Sequence, residues 1–422
     1  MLGFRAKLIV IGGSVMGFEQ VLKGVKVVDL TTFAAAPSTG RMFADWGAKV
    51  IKVESLSGDP VRMFGAGMHM PITEEENPIW QLENANKRGI AINLKAPSGM
   101  ELFHRLLADA DVFITNTRIA SLVKLGLDYE TLSKKYPKLV WGHISGYGLE
   151  GPEAARPGFD VTSFWARSGA MADVVLPEQP PITAPAGVGD NSTGMALMAG
   201  VCAALVRQKM TGKGERVTAS LIGTACWTYG FMLASTQYGD EYPKPRLAPM
   251  HPLLTSFCCA DGEWVVLTVT EYERYFKSVC QVLGLDDLIG NDKYNTLKAL
   301  SDGNNKAELM AFMEAAFRTR PREYWMEAMD KVDVACERVR HFKDLCKDQQ
   351  AIANGNVVKY RFDNGNEAML PCTPVQFGQC EAPPCNRAPS VGQHTVEIMK
   401  ELGYSDAQIM EMSEQGAIGV RT

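Results

Sequence analysis

Residues Val25–Glu54 read VKVVDLTTFAAAPSTGRMFADWGAKVIKVE. Val25–Leu30 is a short apolar run rich in β-branched residues, the signature of a buried strand. Pro37 suits a first helical turn, Met42, Phe43 and Trp46 recur at helical spacing, and Gly47 stops the run. Val50–Glu54 is a second strand. A strand, a helix and a strand within one such stretch predict a βαβ unit, in which the two strands run parallel.

The alternation continues outward. Strands are expected at Ile90–Leu94, Val112–Thr115, Leu139–Ile144 and Arg216–Leu221, with helices at Ser98–Ala110, 191–208 and 222–236. Strands alternating with helices predict an α/β fold whose parallel sheet is covered on both faces. After Tyr238 the composition changes. GDEYPKPRLAPMHP carries four prolines and reads as a boundary. A smaller α+β unit is expected beyond it, from a strand at Trp264–Thr270, a helix at Tyr275–Leu283 and two helices within 305–330 separated by Pro321. Strand signals return at 356–372 around the hairpin turn Asp363-Asn364-Gly365, and a last helix is expected at 394–402. The resulting division is 1–21 as a leader or alternative start, 22–237 as the N-terminal part of a large domain, 238–344 as linker and small domain, and 345–422 as a return linker and the large domain's C-terminal part.

A net charge of −5 with scattered basic residues points away from nucleic acid. No run approaches the roughly 18 apolar residues that cross a membrane, so no membrane partner is expected. None of the ten cysteines forms a C-x2-C pair, which argues against zinc and for reduced thiols in a cytoplasm. MLGFRAKLIVIGGSVMGFEQ imitates a signal peptide, but Gly12-Gly13 break its apolar run and no small-residue cleavage box follows. Its glycines at 12, 13 and 17 do not match G-x-G-x-x-G either.

Ala186–Met195, AGVGDNSTGM, sets Asp190 between a glycine turn and the start of an apolar helix. Gly187 and Gly189 permit positive φ and close backbone approach. Asp190 is expected at or near the helix N-cap, where free N–H groups and the dipole favour an anion. Such an acid is either a plain cap or a reactive group.

In order, VKVVDLTTFAAAPSTGRMFADWGAKVIKVES, ENANKRGIAINLK, GHISGYGLEGP, PGFD, AGVGDNSTGM, TGKGERVTASL and APSVGQHT resemble the class III coenzyme A-transferases, the formyl-CoA transferase and carnitine CoA-transferase type. ENANKRGIAINLK, GLDYETLSKKYPKLV and PGFDVTSFWARSG most resemble the phenyllactate and 2-hydroxyisocaproate members from amino-acid-fermenting anaerobes. The resemblance implies a Rossmann-like large domain built from both chain ends and an interlocked homodimer. It implies CoA thioesters as substrates, with no tightly bound cofactor and no metal. Asp190 matches the family nucleophile, whose carboxylate attacks the donor thioester, giving a mixed anhydride and then an aspartyl-CoA thioester that the acceptor acid opens. The helix start is expected to keep Asp190 ionised, with the N–H groups of Gly187 and Gly189 on the oxyanion.

Thr32, Phe33, Ala34 and Ala35 match the turn that meets the pantetheine, with Thr32-Phe33-Ala34 in place of the family's histidine-valine-glutamine form. Ile92 and Lys95 match the adenine and phosphate strand, and Asn116 and Lys124 the next loop. Lys124 stands where formyl-CoA transferase has an arginine, so it would act as a point charge without a bidentate fork, and Ser55 replaces another arginine. The histidines carry no catalytic motif; His143 and His394 read as structural, and His251 lies in the linker. Phe159, before Asp160, replaces the histidine of the related α-methylacyl-CoA racemases, which removes one of the two groups that racemisation needs. Phe33, Ala34, Ala35 and Phe159 would make the acyl pocket apolar, suited to a phenyllactate- or 2-hydroxyisocaproate-like acid. Carnitine, formate or oxalate, and bile acids are the alternative acceptors, and a non-catalytic CoA-binding protein is the alternative class.

Overall fold

The computed structural model describes residues 20–247, 249–378 and 385–421, so nearly all of the expected leader lies outside the described residues. Strands β1 (Lys26–Leu30), β2 (Lys49–Glu54), β3 (Arg88–Ile92), β4 (Val112–Thr115), β5 (Val140–Ser145) and β6 (Arg216–Ser220) run parallel. Helices α1 (Ala35–Asp45), α2 (Pro78–Asn84), α3 (Pro97–Ala108), α4 (Ile119–Leu125), α5 (Val188–Thr211) and α6 (Leu221–Thr228) belong to the same unit. The remaining strands are β7 (Leu254–Cys258), β8 (Trp264–Thr268), β9 (Cys336–Arg338), the hairpin β10 (Val357–Arg361) and β11 (Glu367–Pro371), and the final β12 (Ile418–Gly419).

The large sheet has seven strands in the order β12-β3-β2-β1-β4-β5-β6. The chain works outward from β1 to β3, then returns to the other side of β1 and works outward again. This reversal makes the crevice beyond the carboxyl ends of β1 and β4 the topological switch point, where α/β sheets bind ligands. The sheet is not purely parallel. β12 pairs antiparallel on β3, Ile418 opposite Ile92, too short a strand for periodicity to show.

Both faces of the sheet are buried, as βαβ crossovers require. Leu102 and Phe103 of α3 pack with Phe113 and Trp141 on one side. Met42 and Phe43 of α1 pack with Leu197 and Val201 of α5 on the other. Thr39 also donates its hydroxyl to the Gly194 carbonyl at 2.9 Å, tying α1 to α5. Two of the expected helices differ in extent. The predicted helix at 191–208 runs from Val188 to Thr211, because Gly187 at φ 87° forms its N-cap. The predicted helix at 222–236 breaks after Thr228 and continues as Gly230–Ser235.

The chain forms two compact units. One holds the residues through Gly169 with Ala184–Leu233 and Gln349–Thr422; the other holds Ala170–Thr183 and Ala234–Asp348. The second contains the antiparallel β7-β8-β9 sheet around Phe257, Leu267, Tyr272 and Phe317. Among the described residues no helix is long and apolar enough to cross a membrane.

Candidate active site

A cavity of about 940 Å³ opens at the switch point, lined by Thr32, Phe33, Ala35, Asn116, Phe159 and Asp190 among others. Thr32 and Asn116 close its floor reciprocally. The Thr32 N–H donates to Asn116 Oδ1 at 2.9 Å, and Asn116 Nδ2 donates to the Thr32 carbonyl at 2.8 Å. That pair ties the end of β1 to the end of β4.

Phe33 sits at φ 61°, in the left-handed region that non-glycine residues rarely adopt. A buried ionic set holds it there. Asp59 accepts the Phe33 N–H at 3.2 Å on Oδ1 and Lys52 Nζ at 3.1 Å on Oδ2. Lys52 also donates to the Thr31 carbonyl at 2.6 Å, and Lys87 Nζ donates to Asp29 at 2.9 Å. Burial alone would lower the Lys52 pKa, but Asp29, Asp59 and Glu54 reverse it and hold the ammonium charged. Strain of this kind is kept only where the surroundings over-determine it. Its result is that the Phe33 ring meets Phe159 and Phe64 edge-on, at 6.2 and 6.4 Å.

Asp190 is the third residue of α5, inside the first turn and not at its cap. The cap comes from another segment. Asp160 opens a turn of π-helix (Asp160–Ala166), a form common at functional sites. Its carboxylate accepts the Gly187 N–H at 2.6 Å and the Gly189 N–H at 2.9 Å. Gly189 is helical, and its role is close approach: a Cβ there would lie 2.3 Å from Phe164 and 2.4 Å from Asp160. The two expectations for this turn are therefore corrected. The N–H groups of Gly187 and Gly189 are occupied by Asp160 and are not free for an oxyanion. The helix start does not lower the Asp190 pKa; burial first, and the Asp160 charge second, push it up to about 7.

The other expected positions divide. Ala34 precedes α1 beside the lining. Ile92 is 2% exposed in the core beneath α3, so its side chain cannot meet a nucleotide. Lys95, whose N–H donates to Asn93 Oδ1, and Lys124, in the last turn of α4, lie outside the cavity lining. The cavity's cations are Arg118, Arg156 and Arg216, which pattern reading missed. Arg118 follows the expected strand Val112–Thr115 closely, but its place at the switch point depends on a strand order that no local pattern states. His143 also lines the cavity. It stacks on Trp141 at 5.3 Å and donates Nε2–H to the Thr117 carbonyl at 2.9 Å, and burial lowers its pKa, so it stands as a neutral ring. Among the described residues no group of three or more His, Cys, Asp or Glu could hold a metal.

The model of CoA-transferase family III matches residues 22–395. The chain belongs to that family. It is 39% identical over 399 residues to the (R)-2-hydroxy-4-methylpentanoate CoA-transferase of Clostridioides difficile, covering 94% of this chain and 100% of that protein. It is 39% identical over 405 residues to the cinnamoyl-CoA:phenyllactate CoA-transferase of Clostridium sporogenes, covering 95% and 98%. A crystal structure of a CAIB/BAIF family protein from Brucella suis matches with a TM-score of 0.76 at 27% identity, over 91% of this chain and 99% of that one. As a class III CoA-transferase the chain uses CoA thioesters as substrates.

Proposed function

We propose that this chain moves CoA from an acyl- or enoyl-CoA to a 2-hydroxy carboxylic acid of the phenyllactate or 2-hydroxyisocaproate kind, with Asp190 as nucleophile. The observation that carries the reading is a carboxylate whose ionisation burial and Asp160 both oppose, placed in the switch-point cavity with Phe33, Ala35 and Phe159. Asp190 attacks the donor thioester carbonyl, the C–S bond breaks, and a mixed anhydride and CoA thiolate result. The thiolate attacks the Asp190 carbonyl and releases the donor acid, leaving an aspartyl-CoA thioester. The acceptor carboxylate attacks that carbonyl and expels CoA thiolate, giving a second mixed anhydride; the thiolate then attacks the acceptor carbonyl, forms the new thioester and releases the Asp190 carboxylate. Splitting the exchange into acyl steps of similar energy is what a covalent nucleophile contributes.

Arg118, Arg156 and Arg216 suit the CoA phosphates, and the Thr32–Asn116 pair suits the pantetheine end. A second carboxylate, as in oxalate, would enter the apolar wall without a partner and is disfavoured. An apolar pocket separates side chains by only about 1–3 kcal/mol per methylene, so neighbouring hydroxy acids should share the site. Comparing kcat/KM for phenyllactate, 2-hydroxyisocaproate, carnitine and oxalate tests the reading; preference for carnitine or oxalate overturns the substrate and leaves the family standing.

We also infer an interlocked homodimer. Trp227 is 88% and Phe231 92% exposed on adjacent short helices, and Met210 is 81% exposed on α5. Large apolar side chains left this exposed on one chain support covering by a second copy. A stable monomer by light scattering at micromolar concentration would contradict it. A cytoplasmic location fits the nine free cysteines among the described residues.

A further inference from the structure

His143 lines the switch-point cavity from near the carboxyl end of β5 and is 2% exposed. Its ring is held firmly. Trp141 stacks on it at 5.3 Å with an interplanar angle of 11°, and Trp141 is itself anchored, Nε1–H donating to the Leu127 carbonyl at 3.1 Å. His143 Nε2 meets the Thr117 carbonyl at 2.9 Å. A carbonyl only accepts, so Nε2 carries the proton, and in the neutral ring the other nitrogen is a bare lone pair. That nitrogen, Nδ1, is buried and has no hydrogen-bond partner among the described residues. Buried acceptors are almost always paired, so an orphan calls for an explanation.

The surroundings of this orphan already suit CoA. Thr117 leads directly into Arg118 and is pinned at both ends. Its N–H donates to Thr115 Oγ1 at 3.1 Å, and its carbonyl accepts from His143. Of the three cavity arginines, Arg156 pairs with Glu153 at 2.6 Å and Arg216 with Glu130 at 3.2 Å. Arg118 has no acidic partner among the described residues, so the cation beside the His143 clamp is the one left for a phosphate.

We propose that His143 Nδ1 is a coenzyme-binding atom, accepting a hydrogen bond from an uncharged donor of CoA on its pantetheine or its adenosine portion. The inference rests on the reading that CoA occupies this cavity. Nε2 keeps the ring and the Arg118 turn in place, and Nδ1 completes its pairing when the coenzyme is bound. His143 therefore sets affinity for CoA and takes no part in the acyl chemistry at Asp190.

Nitrogen NMR of the full-length protein, isotopically labelled on its histidines, reads this bond directly. Adding free CoA should move the His143 Nδ1 resonance to lower frequency and leave Nε2 in place. His143→Gln puts an amide N–H where Nε2 donates and has no acceptor at Nδ1. Its melting temperature should stay near the parent's, while its Kd for CoA rises roughly five- to tenfold, the size of one net hydrogen bond. Its kcat/KM for an acyl-CoA should fall by a similar factor. That loss persists with the matching acyl-pantetheine if the donor is on pantetheine, and vanishes if it is on adenosine. An Nδ1 resonance that CoA does not move overturns the proposal, as does an unchanged Kd in His143→Gln. Free CoA binds without acyl transfer, so Asp190→Ala should show the same Nδ1 shift, and failure here leaves the nucleophile assignment standing.

Discussion

Two clusters of buried charge flank the switch point, and they are built on opposite plans. Asp29, Lys52, Asp59 and Lys87 are each 4% exposed or less and alternate in sign, so every charge meets an opposite one. Asp160 and Asp190 carry the same sign, and the helix N–H groups go to Asp160 alone. The first cluster pairs its charges and holds a strained turn in shape, although burial still lowers the Lys87 pKa to about 8. The second leaves one carboxylate costly to ionise. The difference separates buried charge that is paired from buried charge that is not, and the proposed nucleophile belongs to the second kind.

The sharpest way to break this contrast is Asp190→Ala. Loss of the nucleophile should lower kcat by about 10³-fold or more while leaving CoA binding nearly intact, since the chemical step alone is removed. Trapping with hydroxylamine or borohydride in the presence of acyl-CoA should modify Asp190 alone. Retention of more than about a tenth of the activity would move the reactive role elsewhere.

Next in size is Lys52→Met, which strands Asp29 and Asp59 with one cation too few. Removing one partner of a buried ionic set costs about 3–5 kcal/mol, read as a lower denaturant midpoint with an unchanged slope. A loss under about 1 kcal/mol would show that the set does not close on itself.

Asp190→Asn should act in the other direction on stability. The folded carboxyl titrates near 7, above its ordinary range, so its stabilising contribution is complete at acid pH and is lost as pH rises through 7. The amide does not ionise, so the variant should be more stable than the parent at pH 8 by roughly 2 kcal/mol, a value reduced for partial solvation of the group. The gap should close below pH 4. An equal or lower melting temperature at pH 8 would place Asp190 in a solvated setting.

The smallest effect concerns the coupling itself. Asp160→Asn keeps an acceptor for the helix N–H groups and removes the neighbouring charge. The acid limb of kcat/KM should move to lower pH. A limb that stays in place would leave burial as the whole cause of the raised Asp190 pKa.

Much of this was legible in one dimension. The βαβ alternation from Val25 to Glu54, the positive-φ turn at Gly187, the apolar α5 and the placement of Asp190 at its start all follow from local periodicity and backbone sterics. Those rules act over a few residues. Positions 32, 33, 116, 159 and 190 come together because the strand order reverses at β1, and no local pattern states that order. Ile92 shows the limit: a residue on the strand that the resemblance sets against the adenine turns into the core, paired to β12 and packed beneath α3.

What the linear chain determined by itself is the set of elements and the placement of a carboxylate, Asp190, in the first turn of α5. What only the tertiary structure decided is that residue's electrostatic state. A carboxylate at a helix start is expected to be held ionised by the N–H groups there, yet Asp160, thirty residues earlier, occupies them and adds its own charge. Helix termini are local, but their occupants are chosen by whatever the fold brings alongside, and desolvation depends on everything packed around the group.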